Sequence, residues 1–481
     1  MDAAIIAGNA IARTGSRLSF APMSYAENAS ARDLFGHPKG LTVLFATEMW
    51  ERFSYFGMAS LLVLYLVKYL LLPEQAAHVL GYGAIRHALE AVFGPLDIQP
   101  LASQIFGLYT GLAYFTPILG GVLADRVFGQ RAMAVVGALL MAVGHFMMAF
   151  EALLFVALLF LILGIGAFKP NVSTQVGALY AADDPRRLRA YAIYYVGINI
   201  GAFLAPLVCG TLGGEIGWHY GFAAAGVGML IATAIYVFGL RHLPPDELHR
   251  TQSSEAKAAP LTPENRRAIV GLLLVCALVT FFWATYDQQG NTLLLWAEDH
   301  TDRALNLGFW RGSIPTTWFL ALNPLMIFLF TPLLIRLWAW QAQRGSDLSV
   351  ITKLAFGFIC VALGNLLLVG AALNLAPGAK ASPLWLVGYF AIVTIGELHL
   401  APVGLALISH LAPPRVLSLM MGVWFATTFP GDVLGGWLGG FWSTLPKAQF
   451  FALIGAIAAV AGAAVFALNP VLRGTFDEVR R

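Results

Sequence analysis

Long apolar runs recur along nearly the whole chain, and nothing else in the sequence restricts the fold as much. Residues 41–72, 130–150, 153–167, 218–240 and 450–468 are examples. Runs of this kind can reach across the hydrocarbon core of a bilayer, which takes about 20 helical residues. A membrane β-barrel is the other structure that satisfies its own backbone in lipid, but its strands read as short alternating segments instead of continuous apolar blocks. The 481 residues are 58% hydrophobic and only 11% charged, against roughly 25% charged in a soluble domain. One aqueous core cannot hide so much apolar surface, so the expected class is an all-α polytopic membrane protein.

The runs resolve into twelve spans, at 41–71, 101–124, 130–150, 151–180, 187–213, 218–240, 266–297, 313–341, 348–374, 383–410, 415–441 and 447–469. The polar stretch 241–267, with Pro244, Pro245, Ser253, Ser254, Lys257 and Pro263, divides them six and six and reads as a linker. The expected organisation is an arm over 1–40, a six-helix bundle over 41–240, a linker over 241–265, a second six-helix bundle over 266–470 and a tail over 471–481. About 21 lysines and arginines fall on the side of the N-terminus and about six on the other, which places both termini in the cytoplasm by the positive-inside rule. Segment 72–100 is longer than a helical hairpin requires and is expected to hold a short surface helix near 84–93.

Several function classes drop out. A net charge of +3 with scattered basic residues points away from nucleic acid. Cys209, Cys276 and Cys360 lie in apolar runs and read as small buried hydrophobes. His145 and His399 sit alone in apolar spans, where helix packing is the better reading. With no metal-ligand cluster and no nucleophile triad, neither a cofactor nor an enzyme is expected.

Charged residues inside the spans carry the functional reading, because each costs about 2.5–3.5 kcal/mol at the bilayer centre unless it faces protein or water. In the first span, Glu48, Glu51, Arg52 and Tyr55 share one helix face, and Glu48 and Arg52 are spaced as an i, i+4 ion pair. A structural salt bridge is one reading of that pair. Lys169 ends the apolar part of the fourth span beside Pro170 and Asn171, where the helix is expected to break and expose backbone to a cavity. Asp287 lies in a polar cluster of the seventh span and Glu397 in the tenth, while Asn199 and Asn323 add hydrogen-bonding groups in the fifth and eighth. Four carboxyls against two bases leave an excess of two negative charges, and one or more of the acids is expected to bind protons during a working cycle. Static satisfaction of all six is the alternative. At a membrane edge, Gly120 to Arg131, containing Gly121, Asp125, Arg126 and Gly129, reads as a tight basic turn whose charges can meet helix ends and a neighbouring loop.

That turn resembles the signature between helices two and three of the major facilitator superfamily. The run Glu48-Met49-Trp50-Glu51-Arg52-Phe53-Ser54-Tyr55-Phe56-Gly57 is similar to the first-helix motif ExxERFxYYG of proton-dependent oligopeptide transporters. Residues 166–173 and 194–201 resemble that family's fourth- and fifth-helix signatures, and the likeness continues through Asp287 to Gly290, Asn323-Pro324, Gly396-Glu397 and Ser409 to Arg415. The resemblance implies the major facilitator fold, two six-helix bundles rocking about a central site, and import of di- and tripeptides with protons as the coupling ion. It implies that Arg52 and Lys169 attract the substrate carboxylate, and that Glu397 with Asn323 holds its amino terminus. Asn199, Tyr55 and Tyr114 are expected to bond the peptide backbone or shape the cavity, with packing as the other reading of the tyrosines. Trp424 is expected either to line a side-chain pocket or to pack. Glu48 and Glu51 with Lys169, and Asp287 with Arg52, are the expected proton-coupling groups. A monomer in the inner (plasma) membrane is expected to suffice.

The chain departs from the family pattern at Phe56, which replaces the second tyrosine, and at Ala59, where many members carry an arginine. It also has no apolar run between its halves and so lacks the additional helix pair of many bacterial members. The competing readings are the same fold moving an amino acid, nitrate or drug, and a non-transporting receptor or channel.

Overall fold

The computed structural model describes residues 36–181, 184–246, 262–306, 311–346, 348–413 and 416–469. Most of the expected arm, the central part of the linker, the tail and Arg415 lie outside the described residues. Twelve helical spans follow in chain order: α1 Lys39–Tyr65, α2 Ile98–Leu123, α3 Gln130–Met147, α4 Leu154–Ala178, α5 Arg186–Thr211, α6 Trp218–Gly239, α7 Pro263–Tyr286, α8 Leu322–Gln343, α9 Val350–Leu373, α10 Leu384–Leu411, α11 over Leu417–Ala426 and Thr428–Gly439, and α12 Lys447–Ala467. Eleven of these segments are single helices long and apolar enough to cross a bilayer. The eleventh span is two shorter helices, because the chain turns at Thr427, whose hydroxyl donates back to the Trp424 carbonyl at 2.7 Å. The face at which α1 begins is called proximal here and the opposite face distal.

The helices pack in two groups of six with the same pattern in each. In the first, α1 packs on α5 and α6, α3 on α4 and α6, and α2 on α4; in the second, α7 packs on α11 and α12, α9 on α10 and α12, and α8 on α10. Such an offset repeat is what a transporter built from two similar halves presents. Small residues set the closest crossings, as expected where lipid removes any hydrophobic drive between helices. A Cβ at Gly120 of α2 would stand 1.9 Å from the Gly166 carbonyl of α4, and one at Gly201 of α5 2.2 Å from the Met49 carbonyl of α1. Cys209 fills the space left by Gly57, 2.6 Å from where a Cβ would be, which accounts for that cysteine as packing.

The two groups meet along a seam toward the distal face. There α2 lies against the distal half of α11, and α5 against the 3-10 turn Thr316–Ala321 that leads into α8. The crossing is backbone-close: a Cβ at Gly107 would stand 2.4 Å from the Asp432 carbonyl, and one at Gly210 1.9 Å from the Thr317 hydroxyl. Ser103 of α2 donates to Asn291 at 2.8 Å, and Lys68 reaches Asp299 at 2.6 Å on the distal surface. No comparable packing joins α4 to α10 toward the proximal face among the described residues.

Two local features differ from the sequence reading. α4 does not break at Pro170 but runs on to Ala178. The missing proline N–H leaves the Gly166 carbonyl without its usual donor, and side chains below it settle other carbonyls of the turn: Ser173 donates to Lys169 at 3.0 Å and Thr174 to Pro170 at 2.7 Å. A small hairpin, β1 Ala304–Asn306 against β2 Arg311–Ser313, precedes α8 where the sequence suggested only a loop. The distal helix expected near 84–93 is present as Tyr82–Phe93.

Candidate functional site

A cavity of about 300 Å³ lies between the two groups of helices, lined from α1, α2, α5, α7, α8, α10 and α11. Its walls are chemically unlike one another, and each follows from local sequence.

On the α1 side, the four charged and aromatic residues share a face and the expected i, i+4 ion pair of Glu48 with Arg52 is present, but Glu51 is the closer partner. The Arg52 guanidinium takes Glu51 as its bidentate partner, with Nη2 donating to Oε1 at 2.5 Å and Nε to Oε2, while Glu48 Oε1 stands 3.5 Å from Nε. Neighbours in sequence do not ordinarily face each other on a helix; here the long arginine side chain folds back to reach Glu51. Glu48 is also held from α5, where the Tyr194 hydroxyl donates to Oε2 at 2.6 Å. All three charges are almost fully buried, at 1%, 0% and 3% exposure for Glu48, Glu51 and Arg52, so the fork is a desolvated acid–base cluster. Arg52 also lies over the Tyr55 ring at 4.9 Å. Glycines at 197 and 201 let α5 approach closely enough for this contact, since a Cβ at Gly197 would meet Phe45 at 2.9 Å.

Lys169, half-buried on α4, places its ammonium 4.1 Å from the Tyr114 ring centroid on α2. The geometry is a cation–π contact, and no ion pair to Lys169 is present among the described residues. Asn199 is buried and its amide donates to the Tyr195 carbonyl at 2.9 Å, within its own helix; both residues line the cavity.

The opposite wall belongs to α7, α8 and α10. Glu397 Oε2 accepts from the Tyr286 hydroxyl at 2.7 Å and from the Asn323 amide at 2.8 Å. Asn323 is fixed further by Tyr286 at 3.0 Å and Thr394 at 3.1 Å. Both donors fall on one oxygen, which leaves Oε1 of Glu397 without a donor among the described residues. Asp287 sits where α7 gives way to the 3-10 turn Asp287–Gly290. It does not meet Arg52, as expected from the resemblance; its carboxyl is within hydrogen-bonding reach of Asp432 on α11.

Asp432 is the functional residue that the sequence reading missed. It lies in the glycine-rich segment Thr428–Gly439 and is 2% exposed. A carboxylate inside a span is signal enough to have found it, and counting it raises the excess of acids over bases in the spans. Tyr286 was also given no role, although its hydroxyl at the end of α7 meets Asn323 of α8 and completes the Glu397 site. Trp424 is not among the cavity-lining residues: it is 3% exposed and packs across Gly404 of α10, where a Cβ would meet the ring at 1.9 Å. Its packing reading is the observed one.

The remaining singled-out groups lie apart from the cavity. His399 is bonded to the Ile395 carbonyl at 2.8 Å and set between Trp338 and Phe356, and His145 is buried in α3. The turn between α2 and α3 is a clasp. Gly129 adopts φ +82, and a Cβ there would meet the Asp246 carboxylate at 2.6 Å. The Arg131 N–H donates to Asp246 at 2.9 Å and its side chain to the Pro244 carbonyl at 2.8 Å and to that of Leu243. Arg131 therefore meets the neighbouring loop, whereas Asp125 and Arg126 are exposed and make no hydrogen bond or ion pair among the described residues. Gly121 faces only Pro170, at 3.7 Å.

Comparisons with known proteins agree with this architecture. The model of the POT family matches residues 131–255 and 247–456. The chain is 33% identical to peptide transporter YePEPT of Yersinia enterocolitica, over 85% of this chain and 89% of that one. It is 30% identical to a di-/tripeptide transporter of Lactococcus lactis, over 94% and 99%. Among solved structures it is similar to peptide transporter POT in complex with sulfate, with a TM-score of 0.79 at 29% identity over 92% of this chain and 97% of that one. A POT family transporter in complex with a thioalcohol-conjugated peptide gives 0.80 at 25% identity, over 92% and 99%. The matches run through both groups of helices and the cavity between them, and the chain belongs to the POT family of multi-pass membrane transporters.

Proposed function

We propose that the protein is a symporter that couples proton entry to the import of di- and tripeptides by alternating access. The observation that carries this reading is the unlike chemistry of the cavity's two sides: Glu397, a carboxylate with an open oxygen, lines one wall, and Arg52 and Lys169 stand behind the tyrosines of the other, Tyr55 and Tyr114. A peptide is a zwitterion, and its ends carry the opposite charges to those walls. Glu397 with Asn323 receives the ammonium terminus, and Lys169 with Arg52 draws the carboxylate. Tyr55, Tyr114 and Asn199 border the peptide backbone. The names of the relatives, peptide and di-/tripeptide transporters, support the same substrate class.

Arg52 is engaged by Glu51 in the conformation described. Protonation of Glu51 or Glu48 releases it toward the cavity, so that proton and peptide binding favour each other; Asp287 takes part from the other half. A proton moving down 100 mV contributes about 2.3 kcal/mol, enough to drive accumulation of a neutral peptide. The bundles over 41–240 and 266–470 act as the two rocking bodies. With the proximal face cytoplasmic, both termini inside and the chain a monomer in the plasma membrane, the distal seam closes the outer side.

Ala59 favours a second reading, the same fold moving another solute, because it offers the cavity only a methyl group where the family resemblance leads one to expect an arginine. Uptake of labelled dipeptide into liposomes under an inward proton gradient tests the first reading. Competition by single amino acids, tripeptides and nitrate separates the two. Gradient-driven accumulation should be lost in Glu51→Gln and Lys169→Ala; retention in both variants refutes the coupling network, and absence of any peptide competition refutes the substrate.

A further inference from the structure

The corner of the cavity formed by Asp287 and Asp432 has no cation of its own. Both residues line the cavity, and their carboxyls stand within hydrogen-bonding reach of each other. Asp432 is 2% exposed, and its Oδ1 is buried with no hydrogen-bond partner. The Thr110 hydroxyl is within hydrogen-bonding reach of the Asp432 carboxyl but also donates within its own helix, to the Phe106 carbonyl at 2.9 Å. Tyr55 and Tyr114 face the corner from α1 and α2 and are neutral. Lys169 on α4 stands over the Tyr114 ring; its charge reaches Asp432, but no ion pair joins the two among the described residues. Arg52 is taken by Glu51 and Glu48. From α10, Tyr389 and Glu397 face Asp287 and bring no positive charge.

Two carboxylates so close, out of water, need a positive charge between them. A shared proton supplies it when the cavity is empty. A ligand that brings its own cation supplies it better, because an ammonium or guanidinium donates two or more hydrogen bonds where a proton makes one. We propose that Asp287 and Asp432 form a second cation subsite, which receives the basic side chain of a lysine- or arginine-containing dipeptide. Glu397 holds the amino terminus of the same molecule, so basic dipeptides engage two acidic sites and acidic dipeptides meet repulsion at the second. The inference rests on the peptide reading above and adds side-chain selectivity to it.

Equilibrium binding of Ala-Ala, Ala-Lys and Ala-Glu to the full chain in nanodiscs tests it. Ala-Lys should bind about tenfold or more tighter than Ala-Glu. Asp432→Asn should collapse that ratio, and Asp432→Glu should keep it. A residue that only supported the fold would change all three affinities together and leave the ratio intact. Equal affinities in the natural chain, or a ratio that survives Asp432→Asn, overturn the subsite while Ala-Ala binding leaves the peptide reading standing. If none of the dipeptides binds, both fall.

Discussion

The two halves of the molecule solve the same problem, charge within a membrane, in opposite ways. In the first half acids and bases are balanced: Glu48 and Glu51 against Arg52 and Lys169, with Arg52 gripped at both ends and Tyr194 brought in to finish Glu48. In the second half Asp287, Glu397 and Asp432 make no ion pair among the described residues, and neutral donors, Tyr286 and Asn323, hold Glu397. A balanced cluster can wait in its own company. An acid-only wall requires a cation from outside, whether a proton or the positive end of a cargo. The asymmetry thus divides labour between a latch that stores a base and a receptor that demands one.

That comparison can be broken most severely at the seam that holds the halves together. Gly107→Val places side-chain atoms against the Asp432 carbonyl and the Gly436 backbone, which already lie 2.4 Å and 2.9 Å from the position of a Cβ. Distal closure should fail, and both gradient-driven uptake and counterflow should drop to background in proteoliposomes. The next largest effect separates the halves directly. Glu51→Ala removes the bidentate partner of a buried guanidinium, leaving it only Glu48 at 3.5 Å, and should lower stability by about 3 kcal/mol, read as a fall in thermal unfolding temperature in detergent. Glu397→Ala strands no base and should cost less by the same measurement. Equal losses would abolish the distinction between latch and receptor.

Smaller effects sharpen it. Glu397→Gln keeps shape but removes the charge that meets an ammonium group, and should weaken dipeptide binding by about 1.5–3 kcal/mol, or roughly ten- to a hundredfold in Kd. N-acetylated dipeptides should bind both forms equally poorly. Lys68→Met removes the distal ion pair with Asp299, in which both side chains are 41% exposed. It should shift the distal-open population by no more than about 1 kcal/mol, seen as slightly greater distal labelling at low salt and no difference at high salt.

Much of this was legible before the coordinates. Spans, the six-plus-six division of the helices and the chemistry of Glu48, Arg52, Lys169, Asp287 and Glu397 follow from apolar length and from the cost of charge in lipid. Spacing along the helix gave the Glu48–Arg52 pair, but not that Glu51 would be the closer partner, because a long side chain folds back to its neighbour in sequence. Pro170 looked like a break, yet hydroxyls at 173 and 174 supply donors in the turn below and α4 continues. Asp432 was overlooked although it lies inside the eleventh expected span; what the sequence does not show is that the glycines around it bring α2 and α11 together. Whether Trp424 packs or lines a pocket depends on which way one turn of helix faces, and that is settled by Gly404.

The distal seam has one more consequence. At Gly107 and Gly436 the atoms that touch are backbone, with the Asp432 carboxyl turned to the cavity, so this closure works as a mechanical fit, like a dovetail joint. A joint of that kind is indifferent to acidity and to ionic strength, both of which act on charges. The Lys68–Asp299 strut beside it can be screened by salt, but the joint itself cannot. Whatever tells the distal side to open must therefore be sensed deeper, in the cavity, and delivered to the seam as a change of shape.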